Sequence, residues 1–318
     1  MNVTPSNDTA PLIRIDLPAL IRLQADARAL RLPGSRPVAV RKAGAARSTQ
    51  KGRGMAFAEV RQYHPGDDIR SIDWRVTARR QTPHTKLYEE ERERPLLLIC
   101  DLGDSLYFGS QGAYKRVRAA QTAGLIAWLG LFAGDQVGGI VFSDHAYEVL
   151  RPARRRKAVV RLLDSLVRRQ DDHRGDATVD ASRRGAGLDE ALREARRIAH
   201  TGSRVFIISD FINLTPETPG LIAQLARHNT LSALRIVDPL EQHLPDRGRF
   251  AIAGPEGPLW FDAGNANFRK AFEAKVAEHE YQVERCFSKA GVGVSSIYTG
   301  QQPAQALKTI LGPRGRLG

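Results

Sequence analysis

The hydrophobic rhythm of the chain changes at Pro95. Beyond it, apolar runs of strand length alternate with segments whose apolar residues recur at helical spacing. Leu96 to Cys100 is one continuous apolar run closed by Asp101, the pattern of a strand buried on both faces. Residues 113–133 read as a helix, 137–142 as a second strand and 147–150 as a short third. Val159, Leu162, Leu163 and Leu166 share one face of a helix at 158–167, and a polar, glycine-containing loop is expected at 168–184. Then follow a helix at 188–199, a strand at 205–209 closed by Asp210, a helix at 221–227 and a strand at 231–237. Prolines and glycines punctuate two short apolar runs at about 239–262, which predicts a hairpin-like excursion. Phe268, Phe272, Val276, Val283 and Phe287 mark a long helix, followed by a strand at 294–298 and a helix at 304–311.

Before Pro95 the pattern is weaker. Leu17, Leu20, Ile21, Leu23 and Leu30 lie near helical spacing until Pro33-Gly34 breaks the run. Residues 43–54 are basic, contain glycine and carry few bulky apolar side chains, so a mobile loop is expected there. Residues 55–63 and 85–91 read as extended segments, with a turn at Pro65-Gly66. The expected organisation is a basic, partly flexible segment at 1–54, a small extended region at 55–94, and an α/β domain at 95–318. Strands alternating with helices imply right-handed crossovers and a doubly wound, mostly parallel sheet of Rossmann type, covered by helices on both faces.

Charge and composition narrow the function. The 318 residues carry a formal net charge of +13. Residues 1–88 hold 16 basic against 7 acidic side chains, so most of the excess sits in the N-terminal third. Such a patch suits an acidic partner, but no nucleic-acid-binding module accompanies it, and nucleic acid is not the expected ligand. Two cysteines, Cys100 and Cys286, cannot build a disulfide framework and read as buried thiols in a reducing compartment. The N-terminus has no secretory pattern, and the uncharged stretch 119–134 spans 16 residues with three glycines. A membrane helix needs about 20, so this stretch reads as a buried helix of a cytoplasmic protein.

In a doubly wound sheet, ligands bind at the carboxyl ends of the strands, near the reversal of strand order. Asp101 and Asp210 each end an apolar strand. With the strand order 3-2-1-4-5-6 their strands are neighbours, and Asp104 and Ser105 belong to the loop after Asp101. Carboxylates with a hydroxyl are hard oxygen ligands that suit magnesium or manganese. Two carboxylates brought together repel unless a cation, a proton or a basic side chain intervenes. The competing assignment for each aspartate is a helix cap. There is no G-x-x-x-x-G-K-[ST], H-E-x-x-H or G-x-S-x-G, and no feature supplies a base for Ser105 as a nucleophile.

The segment from Arg61 to Arg75, with Pro65-Gly66-Asp67-Asp68-Ile69-Arg70-Ser71-Ile72-Asp73-Trp74 at its centre, resembles the signature of domain-of-unknown-function family 58. Asp238-Pro239-Leu240-Glu241 resembles a second, shorter one. The resemblance implies a bacterial protein with a von Willebrand factor A-like domain that occurs with MoxR-type AAA+ ATPases. It also implies a metal-ion-dependent adhesion site of the form Asp-x-Ser-x-Ser with a distant Thr and Asp. Here Asp101, Ser105 and Asp210 match. Gly103 replaces the first serine, and the threonine position falls at Ala186. With Asp104 as a substitute ligand, the expected site is degenerate and holds Mg2+ or Mn2+ weakly or not at all. In the signature, Asp67, Asp68, Arg70, Asp73 and Arg75 alternate in sign. They are expected to form an ion-pair network above Trp74, Ile69 and Ile72, or to present a partner surface. The expected function is a non-enzymatic adaptor working with a MoxR-type AAA+ ATPase. The alternatives are a metal-dependent hydrolase or nuclease using Asp101, Asp104 and Asp210, and a nucleic-acid-binding protein using the basic N-terminal third.

Overall fold

The computed structural model describes residues 12–32, 55–65, 67–90, 94–170, 186–254 and 257–312. The loops expected at 43–54 and over most of 168–184 lie outside the described residues. The chain divides into two compact units, one of residues 1–33 with 94–318, the other of residues 34–93. The segment expected at 1–54 is thus shared between them. Residues 12–32 carry α1 (Leu17–Arg22) and α2 (Gln24–Ala27), which belong to the larger unit.

The smaller unit is an antiparallel ribbon of β1 (Met55–Gln62) and β2 (His84–Glu90), paired from Met55 opposite Glu90 to Gln62 opposite His84 with a shift of register between Phe57 and Glu59. Its connection holds a 3-10 turn (Ile69–Ser71) and α3 (Trp74–Arg80). The signature aspartates build this connection. Asp67 accepts from the His64 amide at 3.0 Å and from Arg61 at 2.7 Å. The His64 amide first, and then Arg61, hold its carboxyl below the ordinary aspartate range. Asp68 caps the 3-10 turn through the Arg70 amide, and Asp73 caps α3 through the amides of Arg75 and Val76 at 3.0 and 3.2 Å.

This corrects the expected network. Among the described residues an ion pair joins Asp67 to Arg61, outside the expected set, while Arg70 and Arg75 are exposed. Ile69 and Trp74 are 65% and 67% exposed, so neither packs beneath a layer of charges. A two-stranded ribbon with one short helix has little interior to offer, and each aspartate is used where an unpaired amide lies closest. Asp68→Ala should therefore cost about 1 kcal/mol, the scale of a lost cap, rather than the larger cost of a broken buried charge network. Urea denaturation of the full chain checks this.

The larger unit is built on a six-stranded sheet. Its strands are β3 (Leu96–Asp101), β4 (Val137–Phe142), β5 (Tyr147–Ala153), β6 (Arg204–Ser209), β7 (Thr230–Val237) and β10 (Val294–Tyr298). The order β10-β7-β6-β3-β4-β5 is the expected 3-2-1-4-5-6, and every pair is parallel except β4 with β5. The uninterrupted apolar runs of β3, β4 and β6 follow from burial on both faces.

One face carries α4 (Lys115–Phe132), α5 (Arg156–Arg169) and α10 (Pro303–Ile310). The other carries α6 (Ala186–Ile198), α7 (Thr218–Ala226) and the C-terminal end of α9 (Ala266–Ser288). The uncharged stretch 119–134 lies almost wholly in α4, and among the described residues no helix is long and apolar enough to cross a membrane. Residues 12–32 cover the outside of α4 and α5. Leu20 is fully buried, its carbonyl accepts from Trp128 Nε1 at 3.1 Å, and Ile15 exchanges two hydrogen bonds with the Gln170 side chain. The excursion after β7 is α8 (Pro239–Gln242) and a hairpin of β8 (Arg249–Gly254) with β9 (Gly257–Asp262).

Candidate functional site

The strands β3 and β6 are hydrogen-bonded neighbours, so Asp101 and Asp210 lie side by side at the carboxyl end of the sheet. Asp101 Oδ2 accepts from Ser209 Oγ at 2.6 Å, and its Oδ1 accepts from the Gly103 amide at 2.8 Å. Asp144, in the loop between β4 and β5, accepts from the Asp104 amide at 2.5 Å. Burial first, and then the Asp210 carboxylate, push the Asp101 carboxyl from an ordinary 3.8 up to about 7, with Asp144 adding to the rise. Asp104 contributes its amide while its side chain is exposed, and Ser105 is half-buried in the short turn Asp104–Leu106.

The residue that organises the site was not among those expected. Lys115, the first residue of α4, is fully buried, and its Nζ lies 2.9 Å from Asp210 Oδ2 and 2.5 Å from Glu241 Oε1. Burial works against the ammonium, but Asp210 and Glu241 outweigh it and hold the group above the usual lysine range. Glu241 is itself fixed, because its Oε2 accepts from the Asp238 amide at 3.2 Å in a capping box at the start of α8. The Asp238 carboxylate accepts from Leu240, from Ser110 through both amide and hydroxyl, and from Thr299 Oγ1 at 2.6 Å. The Asp-Pro-Leu-Glu segment is therefore the joint between the ends of β7 and β10, the loop before α4, and Lys115.

The side chains present do not fit a hydrated divalent ion. Magnesium asks for six oxygens in near-octahedral array. Asp210 already holds an ammonium through Oδ2 and the Ile212 amide through Oδ1. At Gly103 a Cβ would meet Asp144 Oδ2 at 2.9 Å and Asp101 Oδ1 at 3.1 Å, so a serine there would need the Asp144 carboxylate to move, and the glycine itself supplies no hydroxyl. The threonine position is occupied by Ala186, at the start of α6, so the sequence supplies no hydroxyl there.

Beside Asp210 and Glu241 opens a cleft of about 570 Å3, walled on its other side by Phe272, Val276 and His279 of α9. Burial first, and then Arg235, hold the His279 imidazole below its ordinary range. Among the described residues, the buried His279 Nε2 and Arg235 Nε have no hydrogen-bond partner.

The elevated Asp101 carboxyl makes stability depend on pH. Between about 3.8 and 7 the folded chain retains a proton that the unfolded chain has released, so this group's contribution falls as pH rises through that window. The penalty is absent at lower pH and complete above about 7. Asp101→Asn keeps an acceptor for Gly103 and removes the penalty. Its stability relative to the parent should rise by a few kcal/mol between about pH 4 and about pH 8. Thermal denaturation of both proteins across that range checks it, and a constant difference would show that Asp101 titrates normally.

The sequence profile described as "Protein of unknown function DUF58" matches residues 59–282. Uncharacterized proteins of Mycobacterium bovis and Mycobacterium tuberculosis are 30% identical over 253 residues, covering 78% of this chain and 76% of their own length. Among solved structures, the conserved hypothetical protein BatB from Bacteroides thetaiotaomicron aligns with a TM-score of 0.41 and 16% identity, covering 69% of this chain and 95% of that one. The VWA domain of SpRpn10 aligns with a TM-score of 0.37 and 13% identity, covering 71% and 98%. The profile takes in the signature turn, Asp101, Lys115, Asp210 and Glu241, and the chain belongs to the DUF58 family of proteins of unknown function.

Proposed function

We propose that this protein is a non-enzymatic interaction module of the cytoplasm that works with a MoxR-type AAA+ ATPase in the assembly or maturation of other proteins. The ATPase enters through the family resemblance. The observation that carries the non-enzymatic reading is the internal pairing of charges at the carboxyl end of the sheet. Lys115 is bound to Asp210 and Glu241, and Asp238 to Ser110 and Thr299. Groups committed to one another in this way hold loops in place; a general acid or base needs a free path to a substrate proton. Burial raises both thiols, Cys100 well above its ordinary value and Cys286 to about 11, which speaks against thiolate chemistry.

The signature turn supplies the contact surface in this reading. It exposes Ile69 and Trp74 beside Arg70 and Arg75, and an exposed aromatic next to arginine is the composition of an interface centre. Capture of the tagged full chain from its native cells, with and without ATP, should recover an AAA+ ATPase identified by mass spectrometry. Trp74→Ala should reduce that recovery at least about tenfold while the melting temperature stays unchanged, the behaviour of an interface hot spot. Magnesium-dependent turnover of a phosphodiester, lost in Asp101→Ala, would replace this reading with a hydrolase. Steeply salt-dependent binding to DNA or RNA would replace it with a nucleic-acid-binding protein.

A further inference from the structure

The adhesion site implied by the family resemblance is organised by a divalent cation, and the side chains here do not fit one. One carboxylate of that set, Asp210, already holds a cation. The Lys115 side chain has no exposed surface, its Nζ lies 2.9 Å from Asp210 Oδ2 and 2.5 Å from Glu241 Oε1, and Asp210 directly follows β6 while Glu241 lies in α8, just beyond the adjacent strand β7. Through Glu241 the ammonium is linked to the Asp238 amide, and through Asp238 to Ser110 and Thr299. Four loop segments at the top of the sheet are thus tied together by one positive charge. We propose that the Lys115 ammonium is the resident cation of this site, and that the site takes no divalent ion.

The physical grounds are charge and access. A magnesium ion drawn to Asp210 would have to displace the ammonium into low-dielectric surroundings or lie against it, and both raise the free energy. Displacement would also strip Glu241 of its partner while that glutamate remains fixed in the capping box. A metal in an open site can exchange a water for an incoming carboxylate. An ammonium buried between two carboxylates offers no such exchange. Partners of this edge are therefore held by direct contact, without a metal bridge. The inference concerns the site alone and stands whether or not the partner is an AAA+ ATPase.

Two measurements on the full chain test it. Calorimetric titrations of the parent protein and of Asp210→Asn with magnesium and with manganese are expected to coincide, whether or not ions bind elsewhere on the molecule. Thermal denaturation of the parent, Asp210→Asn and Lys115→Met is then compared in EDTA and in millimolar magnesium. Each variant is expected to melt about 10 °C below the parent, by the same margin in both buffers. A saturable magnesium or manganese heat present in the parent and missing in Asp210→Asn would overturn the proposal. So would a parent-to-Asp210→Asn difference that appears only with magnesium. If a variant does not fold, that loss in EDTA already shows a structural requirement met without metal. The parent's own melting temperature, expected to be the same in EDTA and in magnesium, then decides.

Discussion

A lysine with no exposed surface is tolerated only where its charge is met, and the arrangement around Lys115 follows from that requirement. The ammonium stands at the first turn of α4, the end where the helix dipole disfavours a cation. Asp210 and Glu241 supply what the helix does not. Arg116 and Arg118, in the same turn, are 3% and 4% exposed and meet the same demand elsewhere. Arg116 donates to the Gln170 carbonyl and lies 4.1 Å above the Tyr107 ring, while Arg118 donates to the Thr299 carbonyl at 2.7 Å. One helical turn thus anchors the ends of β6 and β7, the end of α5 and the segment after β10.

The electrostatics of the neighbouring carboxylates depend on this placement. Lys115 bonds to Asp210 and Glu241, whereas among the described residues the hydrogen bonds to Asp101 come from a hydroxyl and an amide. Burial first, and then the neighbouring Asp210 carboxylate, keep the Asp101 carboxyl protonated to about neutral pH. The parallel register ends with Cys100 opposite Ile208, so Asp210 lies one position further along its strand than Asp101, and it is Asp210 that the Lys115 side chain reaches.

The chain also separates rigidity from exposure. The carboxyl end of the sheet is cross-braced by buried charges, whereas the signature turn holds its shape with local caps and leaves Ile69 and Trp74 to solvent. A cap needs only an amide two or three residues away, so it can fix a turn without an interior beneath it. That combination suits a recognition element, whose apolar side chains have to stay available for a partner.

Sequence alone determined the sheet. A strand buried on both faces must be apolar along its length, so Leu96–Cys100 and Val205–Ile208 were legible, and with them the adjacency of Asp101 and Asp210 in the 3-2-1-4-5-6 order. The apolar stripe of 17–32 was also visible, but not the surface that covers it, because periodicity shows a face and not its partner. Lys115 was not legible as a site residue. It is 95 residues from Asp210 and 126 from Glu241, and only the crossovers of the sheet bring them together. Its trace in the sequence was indirect, three cations opening a helix whose first turn holds no acid. In the signature the alternating charges suggested a network among themselves, whereas Asp68 and Asp73 cap helical turns and Asp67 pairs with Arg61. Local pattern fixes which residues an element buries, but the partner of a buried charge is set by which strand ends meet, and that is decided only when the sheet closes around it.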